Sequence, residues 1–78
     1  MTVILFGIVQ DLIGKSEINF DLEGCKNIEC LQEKLMIRFP QLKDLNKFAF
    51  AVNESYAQLN TEIKETDVLA IIPPVSGG

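Results

Sequence analysis

The chain has 78 residues, 47% of them hydrophobic and 23% charged, a balance that belongs to one small folded domain rather than to a disordered segment. Its formal net charge is -4 and no two of its basic residues are adjacent, which argues against nucleic acid or an anionic membrane and makes a basic protein surface the better partner. With no His and two cysteines five positions apart, Cys25 and Cys30, neither a Ser–His or Cys–His nucleophile pair nor a zinc or iron–sulfur ligand set can be assembled.

In chain order, Thr2 to Gly7, "TVILFG", is an apolar run of strand length. No Lys or Arg precedes it and Gln10-Asp11 cuts it short, so it reads as a buried strand rather than a signal peptide, and it is far below the roughly 20 residues of a membrane span. A cytoplasmic protein is therefore expected, with both cysteines as reduced thiols and the Asn53-Glu54-Ser55 pattern unglycosylated.

Ile8 to Lys15 reads as a connection ending at Gly14-Lys15, with room for one helical turn. Ser16 to Leu22 alternates, placing Ile18, Phe20 and Leu22 on one face and Glu17, Asn19 and Asp21 on the other, the pattern of a half-exposed strand at a sheet edge. From Asn27 the period changes: Ile28, Leu31, Leu35 and Phe39 recur at steps of three and four, which predicts a helix over about residues 27–39, capped by Asn27 and ended by Pro40. Cys30 falls in it as a small filler.

After a polar connection, Phe48 to Val52 alternates large and small apolar residues, a turn at 53–55 follows, and a short strand is predicted over Tyr56 to Leu59. The stretch 60–67 is polar except for Ile63 and reads as a loop or a helical turn, and Val68 to Ile72 is an apolar strand. One helix on one face of a mixed sheet of four or five strands is an α+β fold. The first and last strands are apolar on both faces, which places them at the sheet centre.

If Leu5, Leu69 and Ile71 face the helix, alternation sends Ile4, Phe6, Ala70 and Ile72 to the other face, beside Ala49 and Ala51. That face is expected to be an uncovered apolar patch of the kind that binds another protein, unless the loop at 60–67 folds over it. No catalytic constellation accompanies it. The five glycines form no phosphate-binding loop, and Glu29 and Glu33, one helical turn apart, read as a solvated face.

The sequence ends Pro73-Pro74-Val75-Ser76-Gly77-Gly78. At about 7% glycine usage, a closing Gly-Gly arises by chance in roughly 0.5% of chains. Two prolines favour an extended root, and two residues without Cβ atoms can thread a narrow channel. The segment 73–78 is accordingly read as a flexible tail on a single domain spanning 1–78.

At this point the sequence resembles the small, sulfur-carrying subunit of molybdopterin synthase, the MoaD family of the ubiquitin-like β-grasp superfamily. The resemblance is carried by "VILFG", "DLIG", "RFPQL", "AVNESY" and above all "VLAIIPPVSGG". It implies a β-grasp fold and a subunit that is not itself catalytic, the active site lying on a large subunit (MoaE-like) with which it forms a heterotetramer. An E1-like adenylyltransferase (MoeB-like) would use Mg-ATP to convert the Gly78 carboxylate to an acyl-adenylate, and a persulfide donor would then leave a thiocarboxylate. That sulfur would pass to cyclic pyranopterin monophosphate on the route to the molybdenum cofactor.

By the same resemblance, Gly77, Ser76, Val75, Pro74 and Pro73 position the tail, and Phe6, Tyr56 and Ile72 match the hydrophobic docking surface. Gln10 stands where some relatives carry Arg. No cofactor or metal is expected on the chain itself. Two related readings share the fold: a sulfur carrier for the thiazole of thiamine, which usually lacks the Pro-Pro-Val-Ser approach, and a ubiquitin-like modifier joined to lysines.

Overall fold

A strand that is apolar on both sides needs neighbours on both edges and cover on its faces, and the last strand of this chain has both neighbours. The protein is described by a computed structural model over residues 1–42 and 44–74. Expectations for Val75, Ser76, Gly77 and Gly78 therefore lie outside the described residues. The elements are β1 (Thr2–Leu5), α1 (Gly7–Ile13), β2 (Glu17–Asn19), α2 (Ile28–Arg38), a 3₁₀ turn (Leu45–Lys47), β3 (Ala49–Val52), β4 (Ser55–Ala57) and β5 (Val68–Ile72). They form one five-stranded sheet in the order β2-β1-β5-β3-β4. β5 pairs parallel with β1 and antiparallel with β3, so the sheet is mixed and the two most apolar strands are interior. This is the α+β β-grasp arrangement that the sequence predicts.

α2 forms where the three-and-four spacing places it. Ile28, Leu31 and Leu35 are buried, and each such side chain contributes about 1.5–3 kcal/mol by leaving water. The Asn27 side chain accepts a hydrogen bond from the Cys30 N–H at 3.0 Å. Two further donors at the helix start are met by the connection between β4 and β5: the Ile28 N–H donates to the Thr61 carbonyl and the Glu29 N–H to that of Leu59. The segment around 59–63 is thus held at the start of α2, with Ile63 buried beneath it. It does not fold over the other face of the sheet.

Three readings are corrected. The connection after β1 contains a full helix, α1, whose start at Gly7 (φ 54°) and end at Gly14 (φ 85°) both use the left-handed backbone region. The connection after α2 is not merely polar, because Leu42 and Leu45 are fully buried at its 3₁₀ turn. Cys25 and Cys30 are joined as a disulfide, their Cα atoms 5.5 Å apart, instead of remaining thiols. The cause lies in the helix start: Asn27 turns the chain, so the first turn of α2 brings Cys30 back to Cys25.

Two shorter differences follow from pairing. β2 is regular only over Glu17–Asn19, although Phe20 and Leu22 keep the predicted inward orientation and are buried. β4 covers Ser55–Ala57, and Leu59 is exposed beyond it. Among the described residues, no helix is long and apolar enough to cross a membrane.

Candidate functional site

Alternation along the central strands separates their side chains cleanly. Val3, Leu5, Leu69 and Ile71 are buried under α2, whereas Ile4, Ala70 and Ile72 turn to the opposite face and are only half-buried. Pairing lines these outward residues into a row that crosses all five strands: Glu17, Ile4, Ala70, Ala51 and Tyr56. The two alanines at its centre leave a trough, and the larger side chains of Ile4 and Tyr56 stand on either side. Ala51 itself is buried, since a single methyl group between paired neighbours is shaded by them.

Of the residues matched to a docking surface, Phe6 follows β1 directly and is 47% exposed, and Tyr56 is 79% exposed on β4. Ile72 lies opposite Ala49 at the end of β5, one alternation beyond Ala70. The three share this face but sit at separate points of it, Tyr56 on the outer strand and Phe6 and Ile72 at the end where the chain leaves the sheet. A shallow depression of about 440 Å³ lies between Ile4, Phe6, Val68 and Ala70 and is closed at one side by Asn53 and Glu54.

The part played by that turn was not foreseen from sequence, where 53–55 reads only as a turn leading into the next strand. Asn53 ties it to β5. Its N–H donates to the Val68 carbonyl at 2.8 Å, its side-chain carbonyl accepts from the Val68 N–H at 2.9 Å, and its side-chain amide donates to Asp67 at 2.9 Å. The Asn53 hydrogen bond, followed by that from the Lys64 backbone, holds the Asp67 carboxyl below its ordinary value of 3.8. Glu17, paired with Ile4, and Glu54, at the edge of the depression, place negative charge beside the apolar trough, which complements a partner with a basic rim.

At the end of β5, the root of the tail is fixed on two sides. Leu5 pairs with Ile71 in the parallel ladder and Ala49 with Ile72 in the antiparallel one. Pro73 then passes against Gly7, where a Cβ would stand 3.0 Å from its Cγ. Pro73 and Pro74 border a second hollow of about 360 Å³ with Ile8, Leu12 and Phe48. Gln10, on the same helix α1, is exposed, and its carbonyl accepts the closing N–H of Gly14. Among the described residues, no group of three acidic or Cys side chains is arranged to hold a metal ion.

Comparison with known proteins gives this geometry a family. The chain is 35% identical over 78 residues to the molybdopterin synthase sulfur carrier subunit of Arabidopsis thaliana, covering 97% of this chain and 80% of the relative. It is 39% identical over 80 residues to the protein of the same name from Dictyostelium discoideum, covering 97% and 93% respectively. Its structure matches a chain in the complex of subunits 1 and 2 of molybdopterin-converting factor from Helicobacter pylori, with a TM-score of 0.67, 27% identity and coverage of 99% and 96%. Residues 3–78 match the ThiS family. With that match extending over nearly the whole sequence, and with curated relatives that are sulfur carrier subunits aligned over 97% of it, the chain belongs to the ThiS family.

Proposed function

We propose that this protein is the sulfur carrier subunit of a molybdopterin synthase, acting in the cytoplasm, and that its reactive group is the α-carboxyl of Gly78. The observation that carries the reading is the full-length similarity to curated sulfur carrier subunits of that enzyme, within a family match that runs to Gly78. The contact of Pro73 with Gly7 and the apolar trough support it, because a carrier needs a firm base for its reactive end and a surface by which to be held.

A free α-carboxyl has a pKa of about 3.3–3.7, so at neutral pH it is an anion that resists nucleophilic attack. It must first be activated. An E1-like partner would bind Mg-ATP and join the Gly78 carboxylate to AMP, releasing pyrophosphate. The terminal sulfur of a persulfide donor then attacks the acyl carbon, AMP departs, and a second thiol cleaves the resulting acyl persulfide. The products are a thiocarboxylate on Gly78 and a disulfide on the donor side.

Val75, Ser76 and Gly77 would carry that group into the large subunit, where sulfur passes to cyclic pyranopterin monophosphate. Phe6, Tyr56 and Ile72 would hold the domain against this partner, one carrier on each end of a large-subunit dimer. The carrier contributes sulfur and position, and the catalytic groups belong to the large subunit.

Intact mass spectrometry after incubation with Mg-ATP, the activating partner and a sulfur donor tests the first half. A gain equal to exchange of one oxygen for sulfur, located at Gly78, is expected; no gain with a partner active on another carrier sinks the reading. Adding the thiocarboxylated protein to synthase large subunit and pyranopterin should then yield molybdopterin. Sulfur loading without that product, but with thiazole formation in the corresponding thiamine system, would support the other sulfur-carrier role.

A further inference from the structure

We propose that the Cys25–Cys30 bridge is a thiol–disulfide exchange site, opened and re-closed by small thiols of the glutathione class, and that its state decides how firmly the connection between β4 and β5 is held against α2. Sulfur transfer at the chain end plays no part in this. The bridge lies at the other end of the sheet from Pro73: Leu22, which opens the turn into Cys25, donates its N–H to the Glu65 side chain at 3.4 Å, just before β5 begins.

The bridge closes a ring over residues 25–30, and every residue inside that ring is bonded to the connection. The Lys26 carbonyl accepts the Ile63 N–H at 2.9 Å, and Asn27 forms a β-bridge with Glu62. The Ile28 N–H donates to the Thr61 carbonyl at 3.2 Å, and the Glu29 N–H to that of Leu59 at 2.9 Å. The ring is thus the template on which 59–63 lies. Among the described residues, the other hydrogen bonds of 58–63 only close a turn on itself: the Thr61 N–H donates to the Gln58 carbonyl at 3.0 Å and the Gln58 N–H to the Thr61 hydroxyl at 2.8 Å. β4, three residues on the outer edge of the sheet, runs directly into that turn. Asn53 secures one end of this strand, and the ring secures the other.

Local bonds bring the two sulfurs together. Cys25 ends a turn that is closed by its own N–H on the Leu22 carbonyl at 2.9 Å and that passes through Glu23 and Gly24 at φ 49° and 91°. The Cys30 N–H is held by the Asn27 side chain. Opening the bridge removes neither bond, so the thiols stay within reach of re-closure. Bridge and fold stabilise each other equally. A ring this small restrains the unfolded chain less than a long loop would, so folding adds correspondingly little to the bridge's resistance to thiols.

Access selects the sulfur that is attacked. Cys25 is buried and Cys30 half-buried, so an incoming thiolate meets Cys30 first. It attacks the Cys30 sulfur, the S–S bond breaks, and the electron pair leaves on Cys25, which takes a proton from water. Cys30 is then a mixed disulfide with the small thiol. A second thiolate attacks the small-molecule sulfur of that bond and releases Cys30, which is protonated in turn. Two thiols have been oxidised to one disulfide and the protein has gained two electrons; the reverse sequence closes the bridge again.

The test uses the full chain, labelled with ¹³C and ¹⁵N, in buffers of graded reduced and oxidised glutathione. The cysteine Cβ shifts should move reversibly between bridged and dithiol positions as the ratio changes. In the dithiol form the ¹⁵N order parameters of residues 59–62 should fall from about 0.85 to below about 0.6, while those of Val3 and Leu69 hold. Cys25→Ser, which lacks the second thiol, should accumulate a glutathione adduct at Cys30 with oxidised glutathione, and Cys30→Ser should gain far less at Cys25; peptide mass spectrometry reads both. A bridge that stays closed in excess millimolar reduced glutathione, order parameters at 59–62 that are equal in the two forms, or a loss of order shared by Val3 and Leu69 would each overturn the proposal.

Discussion

Gly7 and Pro73 touch across the point where the chain leaves the sheet: a Cβ on Gly7 would stand 3.0 Å from the Pro73 Cγ, and the Gly7 backbone is left-handed at φ 54°. Both conditions disfavour a side chain, which would strain the backbone and push Pro73 aside by a few tenths of an ångström. Gly7→Ala is expected to lower stability by about 1–2 kcal/mol from the backbone alone, read as a shifted urea midpoint. Because the displaced neighbour is Pro73, the proposed function predicts in addition that the variant accepts sulfur from an E1-like activating system more slowly than its remaining stability would explain.

Phe6 stands beside that contact and is 47% exposed at the rim of the apolar trough. Phe6→Asp should leave the unfolding midpoint nearly unchanged and weaken binding to the large subunit by at least about 2 kcal/mol, roughly thirtyfold, as loss of an interfacial anchor does. Calorimetric titration measures it. Equal affinity would remove Phe6 from the docking surface.

The hairpin between β3 and β4 turns through Asn53 and Glu54, whose φ values are 49° and 72°, directly between the paired residues Val52 and Ser55. Two positive φ values in a two-residue loop are the pattern that favours Asn-Gly. Glu54→Gly should therefore stabilise the fold by about 0.5–1 kcal/mol, the relief of left-handed strain less the added freedom of the unfolded chain. A lower urea midpoint would contradict this account of the turn.

Asp67 has its carboxyl held below 3.8, first by the Asn53 side chain and then by the Lys64 backbone. A carboxyl whose folded-state value is depressed stabilises the fold above its unfolded value, and that contribution disappears as pH falls through the folded one. The anchoring of the turn to β5 should therefore weaken below about pH 3.8, and Asn53→Ala should bring the Asp67 titration up toward 3.8. Carboxyl chemical shifts followed against pH give both results.

The Cys25–Cys30 disulfide spans five positions, and a loop this short is worth about 2 kcal/mol in the chain-entropy account. Reduction should lower stability by that amount and loosen the start of α2 first. Hydrogen exchange at Ile28 and Glu29, which donate to Thr61 and Leu59, should accelerate before exchange at Leu69 in the central strand. Identical exchange with and without reductant would mean that the bridge constrains nothing.

How much of this could be read from sequence depends on whether a residue obeys the pattern of its own element. α2 is legible because Ile28, Leu31 and Leu35 repeat on one face, and β1 and β5 because they are apolar on both. α1 is obscured by Ile8 and Leu12, which are 50% and 41% exposed while Val9 between them is buried, so the apolar positions do not mark the inward side. Leu42 and Leu45 hide among polar neighbours, since three residues of 3₁₀ turn are too few to show a period. The alternation that assigns Ile4, Ala70 and Ile72 to the trough was readable; its closure by Asn53 and Glu54 depends on a turn folding back along β5, which no local pattern encodes. The disulfide is hidden for the same reason, being made by the geometry of a helix start.

The position of β5 between β1 and β3 also has a mechanical side. A pull on the end of β5 along the strand axis loads both ladders at once, from Leu5 and Ile71 back to Thr2 and Val68 on one side and from Ala49 and Ile72 to Val52 and Leu69 on the other. Bonds strained in parallel resist sliding together, whereas an outer strand would peel away one bond at a time. On the proposed function, that arrangement would let the domain be drawn by its end toward a partner and withdrawn again without unravelling.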